Sequence, residues 1–261
     1  MNSQRLLRHS DQQPLKIAVT RPSGQETALM TELKAAGAEP YHIPLLAIEE
    51  LEETPVDRST LLDLDHYSKV ICVSPVTANL FLDRLDQYWP QPPAKTLWVT
   101  PGAGTAAILD DYGLPVVYPE QGDNSEAMLT LPALTEVAGE KILLCKGEGG
   151  RPLLKSTLEE RGAQVKELFF YKRVCPPILS AERELLQSEY FDVILISSLD
   201  ALNHLVQLAG AEPGLFNTLL LVSSPRLRQE ARALGFKKIV QAKGAGGQWQ
   251  QAALESIASQ R

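Results

Sequence analysis

The sequence predicts an α/β protein with two doubly wound domains, each containing a five-stranded parallel sheet. Short apolar runs alternate with stretches that have the apolar spacing of amphipathic helices, a pattern typical of parallel strands joined by helical crossovers. The chain also repeats itself. At an offset of 125 residues, IAVTRPSGQETALMTELKAAGA (17–38) matches ILLCKGEGGRPLLKSTLEERGA (142–163) without a gap.

Two further matches follow at an offset of 123 residues. VICVSPVTANLFLDRL (70–85) matches VILISSLDALNHLVQL (193–208), and LWVT (97–100) matches LLVS (220–223). Three matches in the same order indicate a duplicated α/β unit, since a single loose match would carry little weight.

The first copy begins with a short strand and a helix. KIAVT (16–20) is a buried-strand pattern, and residues 25–36 have helical apolar spacing that ends before Gly37, a residue favoured just past a helix end. YHIPLL is extended again, and Pro44 restricts it to an edge strand or a linker. Residues 1–14 are polar and aperiodic, which predicts a disordered arm.

The middle of the chain starts with an acidic run, EELEET (49–54), which we interpret as a solvated crossing between domains. Strands and helices then alternate to the C-terminus. Strand patterns occupy 70–73, 97–99, 116–118, 141–145, 165–170, 193–196, 219–222 and 238–240, and helical patterns occupy 77–85, 103–111, 125–131, 151–161, 201–208, 226–234 and 249–257. With the two extended segments near the N-terminus, the count is ten strands.

Two domain divisions fit this pattern. A tandem repeat predicts one boundary near residues 122–139. The Pro-containing extended segments, however, predict linkers near 44–50 and 169–177. The crossed alternative therefore combines 15–46 with 175–261 in a discontinuous domain and makes 50–169 an inserted domain. The residue pattern alone leaves both open.

Composition excludes several classes of protein. At 261 residues, 44% apolar and 22% charged, the chain is typical of a globular protein with two domains, and no apolar run is long enough for a membrane span. A net charge of -7 without a basic cluster argues against nucleic acid. Cys72, Cys145 and Cys175 lack CxxC spacing and predict free thiols rather than a metal site. Without a signal peptide pattern, we expect a cytoplasmic protein.

The residues that follow the predicted strands suggest an anion site. In open parallel sheets, ligands bind beyond the carboxyl ends of the strands. Here those positions carry small hydroxyls, glycines and cations: Thr20, Arg21, Ser74, Thr100–Gly104, Lys146–Arg151, Ser197, Ser198, Ser223 and Ser224. Such loops offer backbone N–H groups to carboxylates or phosphates. Helix capping is the alternative for each serine taken singly.

Two glycine-containing motifs and one tyrosine bear on the prediction of an anion site. KGEGGR (146–151) lacks the GxxxxGK[ST] and GxGxxG signatures, so a tight strand-to-helix turn competes with an anion site. TPGAGTAA (100–107) places glycines ahead of a helix and would let a ligand approach closely. Tyr171 ends a strand pattern and offers a phenol that can donate a proton or a hydrogen bond. For Tyr171, an amphipathic residue at a domain edge is the alternative.

The chain resembles the uroporphyrinogen-III synthase family over almost its whole length. The resemblance rests on VTRP, IPLLAIEELEET, VSPVTANLF, GAGTAAIL, QGDNSEAML, the run from KGEGGR to FYKR, ISS, and SPR before EARALG. It implies two doubly wound domains joined by a two-stranded linker, with the N-terminal elements in the C-terminal domain. It also implies a cofactor-free lyase that cyclises hydroxymethylbilane, a linear tetrapyrrole polycarboxylate, with inversion of the last ring and release of water.

The resemblance assigns roles to three residues of this chain. Tyr171 in FFYKR matches the family tyrosine thought to assist departure of the hydroxyl, while Thr105 in GAGTA and Ser197 in ISS match carboxylate-binding positions. On position alone we add seven candidates for substrate binding: Arg21, Ser74, Lys146, Gly147, Arg151, Ser198 and Ser224. No metal site is expected.

Two departures from the family pattern concern anion binding. Leu199-Asp200-Ala201 follows the serine pair, where relatives often have a glycine, and this places an acid near the expected anion site. Arg226 and Arg228 stand where other members carry threonines, so we expect ionic contacts with carboxylates there.

A non-enzymatic two-lobed sensor or binding module for an anionic small molecule is the rival hypothesis, because a duplicated α/β fold does not by itself specify function. We favour the enzyme because of Tyr171 and the full-length resemblance. We expect a monomer that binds neither nucleic acid nor membrane, and a transient contact with the preceding deaminase is left open.

Overall fold

The computed structural model describes Leu7 and residues 13–210, 212–244 and 246–258. It divides into two compact units. Unit 1 comprises the residues up to Ile48 and those from Arg173 onwards, and unit 2 comprises Glu49–Lys172. Each unit is described by itself.

The described residues contain eleven strands. In chain order they are β1 (Lys16–Val19), β2 (Glu39–His42), β3 (Ala47–Glu50), β4 (Lys69–Cys72), β5 (Leu97–Val99), β6 (Val116–Val117), β7 (Lys141–Gly147), β8 (Gln164–Val174), β9 (Val193–Ile196), β10 (Leu219–Val222) and β11 (Ile239–Gln241).

The helices alternate with these strands. They are α1 (Thr27–Ala35), α2 (Pro55–Leu62), α3 (Pro75–Tyr88), α4 (Ala103–Asp111), α5 (Ser125–Met128), α6 (Leu153–Glu160), α7 (Ser180–Gln187), α8 (Leu199–Ala209), α9 (Pro213–Asn217), α10 (Pro225–Ala233) and α11 (Gly247–Ala258). Two 3₁₀ turns, Leu64–His66 and Pro132–Leu134, lie in unit 2.

The sheet of unit 1 has the strand order β11-β10-β9-β1-β2, and all of its pairs are parallel. Its central strand β9 is the run VILI, and all four of its residues are buried. A continuous apolar run is what a parallel strand covered on both faces requires. Two apolar clusters pack here, one around Ile194 and Leu202 and the other around Ile17 and Leu33.

The sheet of unit 2 has the order β3-β8-β7-β4-β5-β6. From β8 to β6 its pairs are parallel. That part has the same topology as unit 1, because β7 corresponds to β1, β8 to β2, and β4, β5 and β6 to β9, β10 and β11. The prediction of an α/β fold with two duplicated parallel sheets is confirmed.

The prediction of five strands in each sheet is wrong for unit 2, which has six. Residues 47–50, expected to be part of a linker, form edge strand β3 next to β8, and the backbone N–H of Leu51 donates to the Phe170 carbonyl at 2.9 Å. β8 likewise continues to Val174, through much of the linker expected at 169–177. Glu49 and Glu50 are exposed, and charged residues are common on edge strands, so their composition resembled a solvated crossing.

The periodicity analysis also missed α2, α7 and α9. The start of α2 has a local explanation: Thr54 and Asp57 form a capping box, and Pro55 occupies the first turn. Of the arm expected for residues 1–14, residues 1–6 and 8–12 lie outside the described part. Leu7 is fully buried, and its N–H donates to the Ala36 carbonyl at 2.7 Å.

Candidate active site

The strand order of each unit reverses at one point, between β1 and β9 in unit 1 and between β7 and β4 in unit 2. Loops that leave the carboxyl ends of the strands diverge at such a point and leave room for a ligand. The candidate residues follow these strands and their neighbours. They therefore group at the carboxyl edge of each sheet.

A β-bulge places Tyr171. Along β7 and β8, Lys146 pairs with Phe169, but Gly147 pairs with Tyr171, so Phe170 is the additional residue. Consecutive residues of a regular strand point to opposite faces, whereas a bulge redirects the chain locally. Phe170 and Tyr171 consequently both join one buried cluster, and Tyr171 is only 2% exposed.

The ring of Tyr171 lies directly against the backbone of Gly147. A Cβ built on Gly147 would lie 2.5 Å from Cζ of Tyr171 and 2.9 Å from Cδ2, and closer still to Cε2. No residue other than glycine fits this position without displacement of the ring. The N–H of Glu148 also donates to the Tyr171 carbonyl at 2.7 Å, which fixes the backbone of the two strands together.

Ser74 and Thr105 lie in one pocket of about 350 Å³ at the carboxyl ends of β4 and β5. Its lining comprises Val73, Ser74, Pro75, Pro101, Gly102, Ala103, Gly104, Thr105 and Asp123. The N-termini of α3 and α4 both contribute to it. Gly102 precedes α4 without a side-chain cap, so backbone N–H groups and the positive helix end are available to an anion.

Asp123 is the lining residue that the sequence analysis missed. A Cβ on Gly102 would lie 3.2 Å from the Cβ of Asp123, so the acid lies close to the start of α4. It belongs to QGDNSEAML, a stretch that carries the family resemblance, but the sequence analysis assigned no binding role to it.

The serines divide into helix caps and a loop pair. Ser74, Ser198 and Ser224 accept hydrogen bonds from the N–H groups of Thr77, Ala201 and Leu227, at 3.2, 3.1 and 3.3 Å. Ser197 is not a cap, and its carbonyl accepts from Ser223 Oγ at 3.2 Å. The capping interpretation is therefore correct for Ser74, Ser198 and Ser224 and not for the other two serines at strand ends.

The two cations of KGEGGR are paired with acids of unit 2. Lys146 Nζ donates to Glu167 Oε1 at 3.2 Å, and Lys155 Nζ donates to Oε2 of the same carboxylate at 3.0 Å. Arg151, which is exposed, binds Glu126 through two hydrogen bonds, one of them 2.9 Å long. The hydrogen bond from Arg151 lowers the pKa of Glu126. Each cation already has a carboxylate partner, which reduces its attraction for an anionic ligand.

The Glu167 carboxylate predicts a measurable pH effect. Burial acts to raise its pKa, but hydrogen bonds from Lys155 and Lys146 lower it overall. A depressed folded-state pKa adds stability above the unfolded pKa, and this stability is lost as the pH falls through the folded value. We expect Glu167→Gln to lower the free energy of unfolding by about 0.5–1 kcal/mol at pH 7, because part of the network is exposed and screened.

Urea denaturation at pH 7 and at pH 3 measures this effect. The difference between Glu167→Gln and the unsubstituted chain should shrink at the lower pH. Glu136→Gln, at an exposed position, is the control and should change neither value. A loss of the same size at both pH values would show that packing rather than charge is responsible.

In unit 1, Arg21 is tied to the end of β2 and to α11. Its Nη2 donates to Gln250 Oε1 at 3.1 Å, and its carbonyl accepts from His42 Nε2 at 2.9 Å, so Nε2 carries the proton. Burial lowers the pKa of Arg21, with Glu32 acting in the opposite direction. The guanidinium is therefore held by α11.

The two departures from the family pattern lie at helix N-termini of unit 1. Asp200, in the first turn of α8, has its Oδ2 3.8 Å from Arg173 Nε, so a cation offsets this acid. Arg226 and Arg228 are exposed in the first turns of α10, next to the cap Ser224. Two cationic side chains therefore lie at the N-terminus of α10, where ionic contacts with carboxylates were expected.

Two thiols belong to the same buried cluster as the Tyr171 ring. Cys72 and Cys145 face each other on β4 and β7, both fully buried and free, as predicted. Burial raises the pKa of the Cys145 thiol well above its usual range, which keeps it protonated. Cys175 is free and half-buried.

The fold and the residues at the strand ends define a class of protein. It is a duplicated doubly wound α/β protein whose loops have the composition of anion sites and whose tyrosine is positioned by a β-bulge. A sequence profile described as "Uroporphyrinogen-III synthase HemD" matches residues 27–247. The chain belongs to the uroporphyrinogen-III synthase family, whose enzymes cyclise hydroxymethylbilane.

Individual relatives agree with this assignment. The uroporphyrinogen-III synthases of Escherichia coli and Salmonella typhimurium are 30% and 32% identical over 233 residues, which are 86% of this chain and 94% of each relative. A mutant uroporphyrinogen III synthase of Thermus thermophilus has the same fold, with a TM-score of 0.65, 22% identity and coverage of 94% of this chain and 99% of that one. For the corresponding enzyme of Helicobacter pylori, the TM-score is 0.60 and the identity 13%, with coverage of 95% and 100%.

Family membership favours the enzyme over the non-enzymatic binding module. Among the residues that the structure describes, none of the helices combines the length and the apolar character needed to span a bilayer.

Proposed function

We propose that this chain converts hydroxymethylbilane into uroporphyrinogen III and that Tyr171 assists the first step. The observation that carries the proposal is the Tyr171 ring, held against Gly147 at the carboxyl edge of the unit 2 sheet. In this step the C–O bond of the terminal hydroxymethyl group breaks. The hydroxyl leaves as water, the terminal pyrrole gives up its N–H proton, and the resulting azafulvene closes through a spiro intermediate.

The role of the phenol is to hydrogen-bond the departing hydroxyl. A donor that is fixed before the substrate arrives needs little reorganisation during the reaction. The bulge and the absence of a side chain on Gly147 together fix the ring. Tyr171 is only 2% exposed, so its ring is shielded from bulk solvent.

Carboxylate binding is assigned to the helix N-termini of each unit. In unit 2, the pocket with Ser74 and Thr105 would take a substrate carboxylate on the N–H groups of α4 and on the Thr105 hydroxyl. In unit 1, the loops with Ser197, Ser198 and Ser224 offer the N-termini of α8 and α10. Arg21, Lys146 and Arg151 are retained as candidates for substrate binding.

The experiment that tests the function uses freshly generated hydroxymethylbilane. The products are oxidised, and the type I and type III isomers are separated by chromatography. Predominance of type III supports the proposal, since unassisted closure gives the uninverted type I isomer. Type I alone, with the substrate shown to be active, would refute it.

Thr105→Val tests the carboxylate pocket. Thr105 is 4% exposed, and valine keeps its volume while removing the hydroxyl. A hydrogen bond to a charged group is worth about 1.5–3 kcal/mol, so we expect KM to rise roughly ten-fold or more with little change in kcat. Thr60→Val, at another buried helical threonine of unit 2, is the control and should leave KM unchanged. An unchanged KM in Thr105→Val would remove this residue from the site.

The proposal includes two further points. The protein acts as a monomer in the cytoplasm, and it receives hydroxymethylbilane from the deaminase that produces it, with at most a transient contact between the two enzymes. Free thiols at Cys72, Cys145 and Cys175 support the location, because a reducing compartment keeps thiols unpaired. Light scattering over a range of concentrations, with and without the deaminase, tests the oligomeric state and the contact. A stable dimer or a stable complex would contradict them.

A further inference from the structure

Arg84 is a buried cation that the proposed reaction does not use. It lies on α3 and is 4% exposed, with the centre of its guanidinium 4.6 Å from the centroid of the Phe170 ring. Its Nη2 donates to the Leu51 carbonyl and lies 4.0 Å from Glu50 Oε1. The contact with the Phe170 ring covers a face of the guanidinium, and the hydrogen bond to Leu51 satisfies Nη2.

The other terminal nitrogen of Arg84 lacks an acceptor. Nη1 is buried and has no hydrogen-bond partner in the described part of the chain. A buried donor that is left unpaired is costly, and the cost is greater when the donor belongs to a charged group. Native proteins seldom leave such a group unpaired. A ligand that brings an acceptor oxygen would remove this cost.

Arg84 lines a pocket of about 420 Å³ within unit 2. The other lining residues are Glu50, Leu51, Glu52, Glu53, Asp83 and Gln87. The volume falls within the range of small-molecule sites, about 300–1,000 Å³. The lining holds four carboxylates and one guanidinium, so a simple anion would be repelled even though Glu53 already accepts from the Tyr88 hydroxyl. The acceptor oxygen for Arg84 therefore has to arrive on a ligand that also carries a cation.

We propose that this pocket binds a lysine or arginine unit. Its carbonyl or carboxylate oxygen accepts from Arg84 Nη1, and its cationic end pairs with the carboxylates of Asp83, Glu50, Glu52 and Glu53. Either a free basic amino acid or a basic residue of a partner protein presents this chemistry. The site is distinct from the carboxylate pocket: ten residues of α3 separate Arg84 from Ser74, about 15 Å along the helix axis.

Calorimetric titration of the full chain with four compounds tests the proposal. L-Arginine and L-lysine carry both the cation and the carboxylate, Nα-acetyl-L-arginine amide presents the same cation with peptide-like carbonyls, and agmatine has the cation without the acceptor. We expect saturable binding of an acceptor-bearing compound, at least about ten-fold tighter than that of agmatine, since a charge-assisted hydrogen bond is lost. Preference for the amide points to a partner protein, and preference for the free amino acid points to a metabolite.

Two variants of equal charge separate the site from general attraction to an acidic protein. Asp83→Asn removes a carboxylate from the pocket, and Asp111→Asn removes one from an exposed position on α4 outside it. We expect the first to weaken binding at least about five-fold and the second to leave it unchanged. Arg84→Met should abolish the tighter binding of the acceptor-bearing compounds relative to agmatine. If that variant does not fold, the Asp83 comparison decides.

Three results would overturn the proposal: no saturable binding, equal affinity for agmatine and the acceptor-bearing compounds, or equal weakening by the two aspartate substitutions. None of these measurements depends on the catalytic assay. The inference and the proposed function can therefore fail separately.

Discussion

Tyr171→Phe should slow the cyclisation by about 100-fold while the protein stays folded. The substitution removes the phenol hydroxyl and keeps the ring that packs against Gly147, so the buried cluster retains its shape. A positioned proton donor contributes about 10²–10⁴ to a rate, and the lower end is expected for assistance by a hydrogen bond alone. The loss should appear in kcat rather than in KM.

The isomer ratio provides a second measurement for this variant. When the enzyme is slow, unassisted closure competes, and the fraction of type I product should rise with it. Tyr67→Phe is the matched control because Tyr67 is a half-buried tyrosine packed against the same cluster, away from the bulge. It should retain the normal rate. A normal rate in Tyr171→Phe would exclude a role for the Tyr171 hydroxyl.

Gly147→Ala should reduce activity by about 100-fold by displacing the same ring. The added Cβ would overlap the aromatic ring, and shifts of about 1 Å at a reacting group can cost this much. Inserting a methyl into a packed contact also costs about 1–3 kcal/mol of stability. Each kcal/mol lowers Tm by roughly 2–4 °C in a protein of this size.

Gly104→Ala is the control for the stability change. Nothing lies within 4 Å of a Cβ at Gly104, which lies inside α4, so alanine should be neutral or stabilising there. A double-mutant cycle completes the test. If Gly147→Ala acts by moving the Tyr171 hydroxyl, it should cost little further activity in the Tyr171→Phe background. Additive losses would assign Gly147 a separate role.

The predicted strands show where sequence patterns are reliable. Runs such as VILI at 193–196 and LWV at 97–99 are strands within one residue of the expected limits, because a parallel strand covered on both faces has to be apolar throughout. Edge strand β3 was missed for the opposite reason. One side of an edge strand faces solvent, so AIEE at 47–50 carries no apolar run.

The candidate site was predictable in part. The carboxyl ends of parallel strands meet at one edge, so the positions of Ser74, Thr105 and Ser197 beyond strand ends follow from the order of the elements. The partners of Lys146 and Arg151 did not follow, because Glu167 and Glu126 lie 21 and 25 residues away along the chain. Asp123 and Arg84 gain significance only from neighbours that are distant in sequence.

By itself, the sequence determined the duplicated α/β architecture, the strands that are buried on both faces, and the family, because each of these rests on local apolar patterns or on motifs in a set order. The residue pattern left open whether β1 and β2 share a sheet with β9, β10 and β11, although the family resemblance implied it. The tertiary structure alone decided that β3 joins the sheet of unit 2 and that a bulge turns Tyr171 onto Gly147. The reason is physical: repeated units expose equivalent strand edges. Which edges pair, and in which register, depends on hydrogen bonds and packing between segments far apart in the chain.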